Sequence, residues 1–223
     1  MLKIIYPINQ HLYTIILLHG MYSNNESFNK FLNYFKNHHK YKFIYNNIKF
    51  IIPSSPIITL HYCYPYINKI SAWYNYFTCY DGLCKIDKID IDEFNFQSER
   101  IANIIKKESK ILNNNKQIFI IGVSQGGTIA FNIIKYLPFN IGAIVSINSI
   151  YMNKYIKLNK KYNKIPIYIY SLLKDEIYPF KFQKFCYKVL EKKNFKLKWY
   201  INSIDKHSDE NIDQYKFIIN SLF

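Results

Sequence analysis

Glycine is scarce in this chain of 223 residues: there are six, and three fall within Gly122-Val123-Ser124-Gln125-Gly126-Gly127. Arginine is scarcer still, Arg100 standing alone among thirty basic residues. Guanidinium forks are the usual readers of phosphates and bases, and the lysines are spread along the chain rather than gathered in one stripe. The net charge of +15 therefore does not point to a nucleic-acid binder. Its joint richness in Lys, Asn, Ile and Tyr is the composition expected of an AT-rich genome. The charge still allows weak peripheral contact with anionic membranes, which salt-dependent liposome binding would reveal. The four cysteines, Cys63, Cys79, Cys84 and Cys186, form no C-x-x-C pair and no His/Cys cluster with metal spacing. They read as free thiols of a reducing compartment, with no metal site. No stretch of about 18 residues is free of polar groups, which argues against a membrane span. Met1-Leu2-Lys3-Ile4-Ile5-Tyr6-Pro7 has neither the apolar core of a signal peptide nor a glycine for myristoylation, and no C-terminal Cys motif follows. A cytoplasmic protein is the expectation.

What is present is an alternation of apolar runs and amphipathic stretches across a length suited to one domain. Thr14-Ile15-Ile16-Leu17-Leu18, Ile48 to Ile52, Gln117 to Val123, Ile141 to Ile147, Pro166 to Leu172 and Phe195 to Ile201 read as strands. Ser27 to Asn37, Ile91 to Leu112, Thr128 to Leu137, Phe180 to Leu190 and Ile212 to Leu222 carry apolar residues at helical spacing. Strands alternating with helices predict an α/β fold, a mostly parallel sheet covered on both faces, with reactive residues in the loops at the strands' carboxyl ends.

The glycine cluster has the form G-x-S-x-G-G at a strand-to-helix junction. This is the pattern of a nucleophile elbow, where a tight turn exposes a serine hydroxyl. Such a hydroxyl needs a base, usually a histidine oriented by a carboxylate, in the chain order Ser, Asp or Glu, His. Only one histidine, His207, lies beyond Ser124. It follows the last strand and precedes the last helix, where such a base belongs. For the acid, Asp175 and Glu176 follow the strand that ends at Leu172; Asp175 is favoured over Glu176, with Asp205 behind both. The oxyanion donors are expected to be the backbone N–H groups of Gln125 and of Met21, the latter in the loop Leu18-His19-Gly20-Met21. His19 is read as orienting that loop. The rate should rise with pH as the histidine loses its proton.

These motifs resemble the acyl-protein thioesterase and phospholipase/carboxylesterase group of α/β-hydrolases. The elbow is similar to that group's G-F-S-Q-G-G and Leu18-His19-Gly20-Met21-Tyr22-Ser23 to its L-H-G-x-G-D. Pro53-Ser54-Ser55-Pro56-Ile57-Ile58-Thr59-Leu60 resembles P-x-x-P-V-T-x-N, and Ala72-Trp73-Tyr74-Asn75 resembles S-W-F-D. The resemblance implies a single α/β-hydrolase domain that cleaves acyl thioesters or carboxylic esters of proteins or lipids, depalmitoylation foremost, with no metal or organic cofactor. A general carboxylesterase or lysophospholipase is the alternative. A third reading is a hydrolase fold kept as a binding protein, because the segment Tyr170-Ser171-Leu172-Leu173-Lys174-Asp175 lacks the group's H-G, Asn75 replaces an aspartate, and Asp81-Gly82-Leu83-Cys84 fits poorly. Between His61 and Tyr80 eight of twenty residues are aromatic, against 18% overall. Trp73 and Tyr74 are thus expected to touch substrate, within a lid-like segment 57–85 that includes Tyr62, Tyr64, Tyr66, Tyr76, Phe77 and Tyr80. Ordinary packing in a tyrosine-rich chain accounts for the same residues. No motif encodes the oligomeric state.

Overall fold

The β-branched and leucine run after Tyr13 is apolar at every position, as a strand must be when both faces of its sheet are covered. In the computed structural model, which describes residues 2–61, 69–78, 88–203, 206–207 and 210–223, it forms β2 (Tyr13–Leu18). Ile15 and Leu17 join one apolar cluster and Ile16 and Leu18 another, on opposite faces of the sheet. Around β2 lie β1 (Leu2–Ile5), β3 (Ile48–Pro53), β6 (Ile118–Val123), β7 (Ala143–Ile147), β8 (Ile167–Leu172) and β9 (Leu197–Asn202). They make a seven-stranded sheet in the order β1-β3-β2-β6-β7-β8-β9. Only the β1–β3 pair is antiparallel. A two-stranded sheet of β4 (Ile57–Ile58) and β5 (Ile70–Ser71) stands apart.

The helices are α1 (Asn29–Asn37), the single turn α2 (Lys42–Tyr45), α3 (Ile91–Leu112), α4 (Gln125–Ile133), α5 (Phe180–Glu191) and α6 (Ile212–Leu222). α1 and α6 supply Phe31, Leu32, Phe35, Ile218 and Ile219 to one cluster, and α3, α4 and α5 supply Phe94, Ile101, Ile129 and Phe182 to the other. Asp90 caps α3 by accepting the Glu93 N–H at 2.9 Å, and Asn211 caps α6 through the Gln214 N–H at 2.8 Å. The expected α/β-hydrolase architecture is present, within a residue or two for most elements. β1 was not anticipated, because its four residues read as a terminal run too short to carry periodicity. α4 starts at Gln125 rather than Thr128, and its last residues tighten into a 3₁₀ turn, Ile134–Tyr136, before Pro138.

From β2 the chain steps to β3 on one side, and from β6 to β7, β8 and β9 on the other. The carboxyl ends of β2 and β6 therefore flank the point where the winding reverses, where the crevice of such a sheet lies.

Candidate active site

Ser124 leaves β6 with φ 52° and ψ −120°, a backbone state that a non-glycine residue holds only when its surroundings enforce it. Here they do. The Ser124 N–H donates to the Ile147 carbonyl at 2.8 Å, and the Ser124 carbonyl accepts from Gly127 N–H at 2.9 Å and from the Ser149 hydroxyl at 2.7 Å. A Cβ at Gly122 would stand 2.5 Å from the Gly126 carbonyl oxygen, and one at Gly126 would overlap the Leu18 carbonyl oxygen. The glycines are thus required by the close approach of β6, α4 and the end of β2.

Ser124 Oγ lies 2.9 Å from His207 Nε2. His207 Nδ1 lies 2.9 Å from both carboxylate oxygens of Asp175, so an N–H there donates to the acid and leaves Nε2 to accept from the serine. Asp175 is buried, and its Oδ1 also accepts from the backbone N–H groups of Ile177 at 2.9 Å and Tyr178 at 2.6 Å. Gln183, fully buried on α5, donates from Nε2 to Asp175 Oδ2 at 3.3 Å and to the Tyr178 carbonyl at 2.6 Å. Glu176 instead accepts the His207 backbone N–H at 3.3 Å and makes no contact with the ring. Of the two adjacent acids, Asp175 is the one brought to the imidazole. Asp205 lies outside the described residues, as do Tyr62, Tyr64, Tyr66, Tyr80, Cys63, Cys79 and the segment Asp81–Cys84.

His19 is buried, with its Nε2 accepting the Ser55 N–H at 3.1 Å, which leaves Nδ1 to donate to the Gly20 carbonyl at 2.8 Å. Burial holds its pKa below the ordinary imidazole value, and Arg100 adds to the effect while the Gly20 carbonyl opposes it. A neutral ring with both nitrogens engaged holds the Gly20–Met21 turn, as its sequence position suggested. Gln125 opens α4, where a helix leaves its first N–H groups without intrahelical partners. Met21 and Gln125 are both on the walls beside Ser124.

Trp73 and Tyr74, expected to touch substrate, are both fully buried and line neither cavity beside Ser124. Their polar atoms are spent on the fold. Trp73 Nε1 donates to the His19 carbonyl at 2.7 Å, and the Tyr74 hydroxyl lies 2.7 Å from Thr128 Oγ1. The Gln125 side chain clamps the pair, accepting the Trp73 N–H at 2.8 Å and donating to the Tyr74 carbonyl at 3.0 Å. Asn75, the departure from the tryptophan motif, accepts the His61 N–H and donates to the Thr59 carbonyl at 2.7 Å, a donation that an aspartate could not make.

Two cavities meet at Ser124. One, of about 260 Å³, runs between α1 and α6 and includes His207. The other, of about 170 Å³, is bounded by Met21, Tyr22, Tyr76, Gln125, Ile177 and Tyr178. The sequence reading did not find the first cavity, Gln183 or Asn148. Asn148 takes φ 47° after β7 and donates from Nδ2 to the His207 carbonyl at 3.1 Å. A glutamine in an amphipathic helix and an asparagine at a strand end carry no chemical signature until the loops are folded over them.

A model of the Phospholipase/Carboxylesterase family matches residues 1–218. A search of curated protein sequences found no significant match. Among solved structures, Arabidopsis thaliana SOBER1 superposes with a TM-score of 0.76 at 16% identity, over 94% of this chain and 97% of that one. Acyl-protein thioesterase 2 of Zea mays gives 0.74 at 16% identity over 100% and 99%. The Bacillus cereus carboxylesterase gives 0.72 at 13% over 100% and 94%. At these identities the superpositions establish the fold.

Proposed function

The chain belongs to the phospholipase/carboxylesterase family of ester hydrolases, and on that premise we propose that it cleaves acyl thioesters or carboxylic esters through a Ser124 acyl-enzyme. The observation that carries the reading is the unbroken hydrogen-bonded line Ser124 Oγ–His207 Nε2 and His207 Nδ1–Asp175, each contact 2.9 Å long. As Ser124 Oγ bonds to the acyl carbon, its proton passes to His207 Nε2. As the C–O or C–S bond breaks, the same proton passes to the departing oxygen or sulfur. A water molecule, deprotonated by His207, then releases the acid. Asp175 fixes the tautomer and stabilises the imidazolium. The N–H groups of Met21 and Gln125 hold the oxyanion, each worth about 3–4 kcal/mol in the barrier.

The organised surroundings of Asp175 support catalysis over a retained binding fold. The proposed chemistry draws on a hydroxyl, an imidazole, a carboxylate and backbone N–H groups, and the reading calls for no cofactor. The substrate is read as an acylated protein, with a lipid ester as the alternative, and segment 57–85 as its lid. The site of action is read as the cytoplasm; among the described residues no helix is long and apolar enough to cross a membrane. A fluorophosphonate probe should label the folded protein at Ser124 and fail to label Ser124→Ala. Folded wild-type protein that takes no label would end the enzyme reading. Comparing a palmitoyl-cysteine peptide with a short-chain ester then separates thioesterase from general esterase.

A further inference from the structure

The proton that His207 Nε2 receives must be returned to the leaving atom, so the leaving group lies on the His207 side of Ser124. His207 borders the cavity between α1 and α6 and does not border the smaller cavity beside Gln125. The acyl chain then belongs on the side of the smaller cavity, and the larger one faces the departing alcohol or thiol.

The walls of that larger cavity have a distinctive chemistry. Phe28 just before α1, Phe31 of α1 and Tyr215 of α6 present aromatic surface, and Glu210 stands at the same wall. In a chain with thirty basic and fifteen acidic residues, no lysine or arginine is among the described residues that line it. Burial, and then the neighbouring Glu210 carboxylate, push the Tyr215 phenol pKa up, so the wall carries a neutral phenol beside an acidic side chain. Among the described residues the cation paired with the Glu210 carboxylate is Lys30, with Nζ at 4.0 Å on a side chain that is 82% exposed. Asn148 also lines the cavity. It is 1% exposed, and its Oδ1 accepts no hydrogen bond from any described group, an acceptor left for a donor that enters the cavity. Aromatic faces, a carboxylate and a free amide oxygen together suit a cation that donates hydrogen bonds, and the Glu210 carboxylate repels a phosphate.

We propose that the cavity between α1 and α6 receives the leaving group and selects one that carries a protonated amine. The inference rests on the Ser124 reading of the previous section. It makes substrates whose alcohol or thiol bears an ammonium or stands beside a basic side chain better than those with neutral or phosphorylated leaving groups.

Two esters with the same acyl group and ring test it: piperidin-4-yl butyrate, cationic at neutral pH, and its neutral counterpart cyclohexyl butyrate. At low salt the kcat/KM ratio should favour the cationic ester by about tenfold, chiefly through KM. Glu210→Gln should bring the ratio close to one, and Lys30→Met, which removes the competing ammonium, should raise it. Because the ratio is taken within each protein, a general loss of activity cancels. A wild-type ratio of one or below, or a preference that survives in Glu210→Gln, overturns the proposal. A shortened acyl-chain preference in Ile218→Trp with an unchanged cation ratio also overturns it, since it would put the acyl chain in this cavity. If neither ester is hydrolysed and the fluorophosphonate does not label Ser124, the hydrolase reading itself has failed. Labelling with no cation preference rejects only the leaving-group assignment.

Discussion

Replacing Asp175 by asparagine tests how the hydrogen-bonded line is oriented. The carboxylate accepts from Ile177 N–H, Tyr178 N–H, Gln183 Nε2 and His207 Nδ1, and gives nothing in return. In Asp175→Asn the amide oxygen stays where it can keep the two backbone N–H groups, which are fixed donors with no alternative orientation. The amide NH₂ then faces Gln183 and His207. A donor opposite His207 Nδ1 favours the tautomer with the proton on Nε2, which cannot accept from Ser124 Oγ at 2.9 Å. The imidazolium of the transition state also loses its counter-charge. The expected loss in kcat is about 10³- to 10⁴-fold, or roughly 4–5.5 kcal/mol in the barrier. The Gln183 amide, buried and short of one acceptor, should lower the unfolding free energy by about 1–3 kcal/mol. Steady-state kinetics on an activated ester, fluorophosphonate labelling rates and urea melts measure the three effects. Glu176→Gln, which keeps an amide oxygen to accept the 3.3 Å bond from the His207 backbone and loses only the charge, should stay within about threefold of wild type. An Asp175→Asn enzyme within tenfold of wild type, with Glu176→Gln crippled, would refute the assignment of the acid.

Acid should destabilise the fold through His19. Burial holds its folded pKa below the unfolded value, so below the ordinary imidazole range the unfolded chain binds more protons and stability falls as pH falls; His11, shifted the same way by burial, adds to the slope. Each contributes at most about 1.4 kcal/mol per pH unit, and His19→Gln should flatten the dependence of Tm on pH between neutrality and mild acid. Glu108 of α3 is buried against the starts of β2 and β3, accepting from Lys49 Nζ at 2.7 Å and Thr14 Oγ1 at 3.1 Å. Glu108→Ala should cost about 3–5 kcal/mol in a denaturant melt by leaving the Lys49 ammonium unpaired, whereas a loss under 1 kcal/mol would mean that water reaches it. Gly122→Ala should abolish both labelling and cooperative unfolding, since the added methyl meets the Gly126 and Gly127 backbone rather than a movable side chain.

Periodicity and order determined much of this protein before any coordinates. Short apolar runs rich in β-branched residues suit strands of a sheet covered on both faces, and the run Ile15 to Leu18 divides between two cores as such a strand does. Three glycines around one serine are legible as a pattern, although only Gly122 answers to local backbone, while Gly126 meets the end of β2 and Gly127 the Ser149 side chain. A single downstream histidine needs no geometry to be singled out. The acid was legible only to within two neighbours, since Asp175 and Glu176 differ in direction rather than in chemistry. The turn that feeds Ile177 and Tyr178 N–H groups to one carboxylate brings Asp175 rather than Glu176 to the imidazole. Trp73 and Tyr74 show the opposite limit. An aromatic cluster in sequence looks the same whether its rings face a ligand or the core, and only the clamp from Gln125 and the fully buried rings fix which. The cavity between α1 and α6 joins residues as far apart as Phe28 and Ile218, so its aromatic and acidic wall exists only once the two helices pack on the same face of the sheet.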